Sequence, residues 1–319
     1  MPRFLSQLLK TVIPLGIGVF FIYYSFSNTT EDQRSLIWKY IRQSDLYFVA
    51  LSVFFGVLSH LSRAYRWGFL LHPLGYRPRF INMVLTVLIT YVSNLGIPRS
   101  GEVLRATALR AYEKIPFEKS FGTVVMERLV DLLLLLICVG IGFMLEYEMV
   151  RSFFEGNNNG NRIWVVAGML ILGFLFLKWS RRTQHPWGAK IRSFSQGLLS
   201  GLTSIRNMPN TGWFWAHTLF IWSMYLMMFW VIQFALPGAD TLDLKALFPA
   251  FIAGGLAMSA TNGGIGLYPI AVAAVLSYYG MPYELALAYG WVMWTAQTLM
   301  VVFFGGISFF LLPIVNRNK

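Results

Sequence analysis

The 319-residue chain is 56% hydrophobic and only 13% charged, with a formal net charge of +12. A soluble domain carries roughly a quarter charged residues, so the composition excludes an ordinary soluble protein, and apolar runs of bilayer length point to an integral membrane protein. The basic residues gather in short loops between those runs, as the positive-inside rule and attraction to anionic lipid require, which removes the usual reason to expect nucleic acid as a partner.

The first span is expected at 11–26, entered from a basic flank holding Arg3 and Lys10, with the N-terminus cytoplasmic. No small-residue cleavage site follows it, so it reads as a retained span. The polar stretch 27–45 can hold a short interfacial helix through Leu36, Ile37, Trp38, Tyr40 and Ile41. A second span at 46–70 ends on Arg63, Arg66, Arg77 and Arg79, which places that end inside. The apolar run 80–95 then breaks at Gly96-Ile97-Pro98 and is followed by Arg99, Arg105 and Arg110. A full crossing would strand these arginines outside. A hairpin that enters and leaves on the cytoplasmic side avoids this, with glycine and proline making the turn.

A span at 117–145 runs outward, 163–179 returns, and an amphipathic surface helix is expected at 187–206. The span 213–236 goes out again. A second apolar segment, starting at Leu244, breaks at Thr261-Asn262-Gly263-Gly264-Ile265-Gly266 and resumes to Tyr279. Read as an outer hairpin, it is followed by a last span at 285–312 that ends inside at Arg317 and Lys319. The expected fold is therefore an all-α polytopic membrane protein of one domain, 1–319, with six full spans and two re-entrant helical hairpins. Full crossings in place of the hairpins remain open. Both breaks carry Asn-x-Gly-Ile, in Asn94-Leu95-Gly96-Ile97 and Asn262-Gly263-Gly264-Ile265. Each lies between two spans, and the two units so formed have opposite orientations, so 46–145 and 213–312 read as an inverted repeat whose broken helices meet near the midplane.

One cysteine, Cys138, sits in an apolar run, and His60, His72, His185 and His217 lack metal-ligand spacing, so no disulfide, metal or cofactor is expected. The candidate site is charged. Arg99, Glu102 and Arg105 follow the first break, with Glu102 and Arg105 on one helical face. Glu127, Arg128 and Asp131 open the following span, and Arg63 and Arg66 close an earlier one. Ionisable groups at membrane depth are functional candidates by default. Arginines there can grip a lipid phosphate while carboxylates orient them. The alternative is a static ion-pair network, with Arg63 and Arg66 snorkelling to the interface. The second break offers Thr261, Asn262, Gly263 and Gly264, either as an anion site at a half-helix start or as a kink for close packing. Asn94 stands at the equivalent place in the first break.

The run Ser93-Asn94-Leu95-Gly96-Ile97-Pro98-Arg99-Ser100-Gly101-Glu102-Val103-Leu104-Arg105, with Glu127-Arg128-Leu129-Val130-Asp131 and Gly263-Gly264-Ile265-Gly266, resembles the membrane region of bacterial lysylphosphatidylglycerol synthases and the flippase-like proteins that share it. The resemblance covers about 10–312. It implies movement of lipid across the bilayer rather than aminoacyl transfer. Relatives often carry an acidic residue after the second glycine run. Here Leu267-Tyr268-Pro269 stands there, so a two-carboxylate mechanism does not carry over.

The expected function is lipid translocation in a bacterial inner membrane, with both termini cytoplasmic and no enzymatic chemistry. The cargo would be a phospholipid or a polyprenyl-phosphate-linked lipid. Arg99, Arg105 and Arg128 would hold its phosphate, and Glu102, Glu127 and Asp131 would orient it or carry a proton. No phosphate-binding Gly-x-x-x-x-Gly-Lys-Ser/Thr motif is present. A membrane-embedded enzyme acting on lipid phosphates or glycosyl carriers is the rival reading, and a non-transporting envelope scaffold is a third. A homo-oligomer or an envelope-enzyme partner fits any of them.

Overall fold

The structure is a computed structural model and describes residues 16–145, 208–240 and 242–317. The expected span at 163–179, the surface helix at 187–206 and residues 11–15 of the first span lie outside the described residues. Among the described residues the regular elements are helices, and there is no strand. In chain order they are α1 (Gly16–Ser27), α2 (Glu31–Arg42), α3 (Leu46–Leu71), α4 (Phe80–Gly96), α5 (Ser100–Glu113), α6 (Phe117–Leu145), α7 (Thr211–Trp230), α8 (Leu244–Ala260), α9 (Leu267–Tyr278) and α10 (Tyr283–Val315). Short 3-10 turns extend α3 and α7, at His72–Leu74 and Val231–Ala235. Three helical stretches, Leu46–Leu74, Thr211–Ala235 and Tyr283–Val315, are long and apolar enough to cross a bilayer.

The chain divides into two compact units. One holds Met1–Val125 with Gly212–Lys319, and the other holds Met126–Thr211. The first unit contains both interrupted segments. Its helices start and stop where local chemistry dictates. Thr30 and Gln33 form a reciprocal capping box at the start of α2. The Asp45 carboxylate accepts from the Tyr47 amide at 2.8 Å and caps α3. α4 stops at Ile97-Pro98, because proline cannot supply the next helical amide.

Packing within this unit is antiparallel and pairs α3 with α7 along their length. The Asp45 amide donates to Ala235 O at 2.8 Å. Further along, Ser52 donates to Met228 O at 2.8 Å, and Ser62 Oγ lies 2.8 Å from His217 Nδ1. Helix α10 pairs with α4 in the same manner. A Cβ added to Gly305 would sit 2.7 Å from Val92 Cβ, and Asn316 donates to Asn82 Oδ1 at 2.8 Å one end away. Small residues allow these backbones to approach, as helix association in lipid requires. On α10, Leu299, Val302, Phe303, Ile307, Phe310 and Ile314 are exposed at helical spacing. That stripe would be a liability in water and is the expected surface toward acyl chains.

Each interrupted segment folds as two packed helices joined by a tight turn. In the first, α4 and α5 are joined by Ile97-Pro98-Arg99. The Ser100 amide donates to Ile97 O at 3.1 Å, and Arg99 adopts φ +62°. Proline at the second position and a left-handed third residue are what a type II turn demands. The helices touch backbone to backbone, since a Cβ at Gly101 would collide with the Thr90 carbonyl. In the second, α8 and α9 are joined through Gly263, Gly264 and Gly266, with φ of +68°, +78° and +70°.

Candidate functional site

Three arginines are buried in the first unit. Arg63 is 2% exposed, and Arg66 and Arg105 are 0% exposed. None of the three snorkels to the surface. Arg63 and Arg66 lie on the face of α3 that packs on α7. The Arg63 guanidinium donates to the Tyr225 hydroxyl at 3.0 Å and lies 5.9 Å from the Tyr91 ring centre. Arg66 donates to Thr218 Oγ1 at 3.1 Å and lies 5.5 Å from the Phe214 ring centre. Arg105, on α5, sits over the Trp67 ring with Cζ only 3.6 Å from its centre. Trp67 is itself fixed, because its indole N–H donates to Thr123 Oγ1 at 2.9 Å. A desolvated guanidinium over tryptophan gains about 2 kcal/mol or more. The stacking turns one face of the guanidinium to the ring and directs the N–H donors along its planar edge.

Trp67, Tyr91, Phe214, Thr218 and Tyr225 were not among the residues expected from the sequence. A signal existed for part of the set. Phe214, Thr218 and Tyr225 follow one another by four and seven residues, which puts a ring and two hydroxyls on one face of α7. Trp67 carried no such signal, since its meeting with Arg105 depends on how α5 folds back.

The remaining expected residues are distributed as follows. Arg99 is exposed at the turn, six residues and about 9 Å of helix from Arg105. Glu102 is half-buried one turn into α5 and accepts from Asn94 Nδ2 at 3.2 Å. The Asn94 carbonyl oxygen accepts from the Gly101 amide at 2.8 Å. Asn94 thus braces its own hairpin and caps the start of α5. Arg128 and Asp131 form an i,i+3 pair at 3.9 Å on the part of α6 in the second unit, where Glu127 is buried. Thr261 is buried and donates to Ala257 O at 2.9 Å within α8.

Asn262 is 3% exposed and reaches the other break. Its Nδ2 donates to Leu95 O at 2.6 Å and, more weakly, to Gly96 O at 3.5 Å. Gly263 faces the same place, where an added Cβ would lie 2.6 Å from Leu95 Cδ2. Trp294 of α10 donates to Gly263 O at 2.8 Å from the opposite side. Gly266 packs against α1, where its Cβ would meet Gly18 O at 2.5 Å. Gly264, also buried, completes this turn. The two breaks are therefore in direct contact, and the glycines permit that approach.

Arg99 occupies a position that suits glycine. A left-handed conformation costs an L-residue roughly 1–2 kcal/mol. Arg99→Gly is expected to raise the unfolding midpoint in detergent by relieving about 1 kcal/mol, measured by thermal or denaturant scans of purified protein. A lower midpoint would mean that the arginine side chain stabilises the turn.

The model of the family described as the lysylphosphatidylglycerol synthase TM region matches residues 11–306. UPF0104 membrane protein MJ1595 of Methanocaldococcus jannaschii is 28% identical over 176 residues, covering 54% of this chain and 46% of that protein. Glycosyltransferase AglD of Haloferax volcanii is 29% identical over 129 residues, covering 40% of this chain and 19% of that protein. The chain spans less than half the length of each of these curated relatives. No solved structure matches.

Proposed function

The chain belongs to the lysylphosphatidylglycerol synthase transmembrane-region family, and on that basis we propose that it moves a phosphate-bearing membrane lipid between the two leaflets of a cytoplasmic membrane. The observation that carries this reading is the group of three buried guanidiniums, Arg63, Arg66 and Arg105, held against aromatic rings in a protein with an apolar exterior. Buried arginine in a membrane protein is expensive and is retained where an anion or ion pathway uses it. Bidentate guanidinium donors match phosphate oxygens better than a lysine would.

In this proposal Arg63, Arg66 and Arg105 hold the phosphate as it passes the midplane, and Glu102 with Asn94 steadies the start of α5. The fold is six spans with two re-entrant hairpins, arranged as an inverted repeat with both termini cytoplasmic. The antiparallel α3–α7 pair and the meeting of the two breaks support that arrangement. Cysteines placed at Asp240 and Lys114 test it: the proposal requires labelling from outside at 240 and from inside at 114.

A second reading has one observation in its favour, the similarity to a protein named as a glycosyltransferase. On that reading the arginines would bind a lipid-linked phosphate for chemistry on it. The two readings separate in detergent, where no leaflets exist. Purified protein incubated with phospholipids or polyprenyl phosphates and a sugar-nucleotide donor returns them unchanged if it is a translocase. A new lipid product would sink that reading.

A further inference from the structure

The two breaks share Asn-x-Gly-Ile, yet their asparagines are used differently. Asn94 turns inward, to the Gly101 amide and the Glu102 carboxylate of its own hairpin. Asn262 turns across, to the Leu95 and Gly96 carbonyls at the end of α4. The sequence explains the difference. Seven residues beyond Asn94 stands Gly101, whose amide donates to the asparagine's side-chain oxygen and is capped by it. Seven residues beyond Asn262 stands Pro269, which has no amide hydrogen to give. Asn262 therefore cannot close its own hairpin in the same way. The last carbonyls of α4 in turn have no partner within their helix, and Asn262 supplies one from the opposite repeat.

We infer that Asn262 is a clasp that holds the two breaks together and shuts the passage between them, and that releasing it from α4 opens that passage. The inference rests on the translocase reading for its purpose but on the hydrogen-bond geometry for its substance. It changes the role of Asn262 from the lipid ligand expected from sequence to a positioning residue. The amide that would have bound an anion is occupied by backbone. The clasp also has a fixed anchor. Trp294 holds the Gly263 carbonyl to α10, and α1 lies against Gly266, so the second break is supported on both sides, while α4 meets it through the Leu95 side chain and the carbonyls that Asn262 reaches. One side-chain hydrogen bond between neutral groups is net worth about 1 kcal/mol, which suits a contact that must break during a transport cycle.

The test measures access rather than transport. In a Cys138→Ser background, Leu95→Cys is placed at the contact, and its rate of reaction with a membrane-impermeant maleimide is followed in full-length protein in nanodiscs. Asn262→Asp keeps the shape but replaces the donor by an acceptor facing two carbonyl oxygens. It is expected to raise the labelling rate at position 95 at least tenfold, and Asn262→Ala by a smaller factor. Lys114→Cys, far from the contact in sequence and exposed, should label equally in every background. Should Asn262→Asp fail to give a monodisperse protein, Asn262→Ala carries the comparison. Equal rates at position 95 with and without the Asn262 amide would overturn the clasp. If labelling rises while liposomes show no lipid movement, the clasp stands and the translocase reading falls.

Discussion

Gly101→Val is expected to abolish the accumulation of folded protein. A Cβ at this position would lie 2.7 Å from Thr90 Cα and closer still to the Thr90 carbonyl oxygen. Those are backbone atoms in the middle of α4, so no side chain can move aside. The α4–α5 hairpin would have to separate, which pulls Arg105 from Trp67 and Asn94 from the Gly101 amide. Overpacking a core costs about 1–3 kcal/mol when side chains can adjust. Here the collision is with backbone, and the loss should exceed that range. Gly96→Ala is the matched comparison. Gly96 lies five residues earlier, at the end of α4, where an added Cβ meets nothing within 4 Å. It should be neutral or slightly stabilising. Monodisperse yield and unfolding midpoint in detergent read both. A folded Gly101→Val protein with an unchanged midpoint would show that the hairpin packing is not what holds the site.

Arg105→Met is expected to stop lipid movement. Methionine keeps an apolar stem against Trp67, and the unfolding midpoint is read beside the rate because removing one member of a buried charge interaction costs about 3–5 kcal/mol. Binding to a charged partner is worth about 1.5–3 kcal/mol per hydrogen bond. Its loss from a phosphate contact should slow movement at least about tenfold, since about 1.4 kcal/mol is a factor of ten. Arg105→Lys should recover little of the rate, because the ammonium lacks the planar fork and stacks less well. Trp67→Phe, which keeps a ring face but loses the N–H to Thr123, should fall between wild type and Arg105→Met. Rates from vesicle assays together with unfolding midpoints decide the matter. A stable Arg105→Met protein that moves lipid as fast as wild type would remove Arg105 from the site.

Much of the helical framework is legible in sequence because hydropathy and turn chemistry agree. The run at 80–95 stops at Gly96-Ile97-Pro98, and the expected edges of α6 and α8 coincide with those found. Arg63, Arg66 and Arg105 stand out in the sequence as charge at membrane depth, and all three are buried. What faces them was not legible. The Trp67–Arg105 stack joins residues 38 positions apart, through a hairpin whose closeness depends on Gly101, and no helical period encodes it. The same holds for Asn262, whose partner is 167 residues away. Arg99 shows the converse. Sequence grouped it with Arg105, because both are basic and near one break, but the turn leaves it exposed in a left-handed conformation at the opposite end of that stretch.

Translocation itself is tested most directly in proteoliposomes loaded with headgroup-labelled phospholipid, in parallel with labelled polyprenyl phosphate, using a quencher that reaches only the outer leaflet. The account predicts that wild-type protein exposes inner-leaflet label of at least one phosphate-bearing lipid, and that Arg105→Met vesicles behave as protein-free ones. Wild-type vesicles that keep the inner-leaflet label protected for every phosphate-bearing lipid would contradict it.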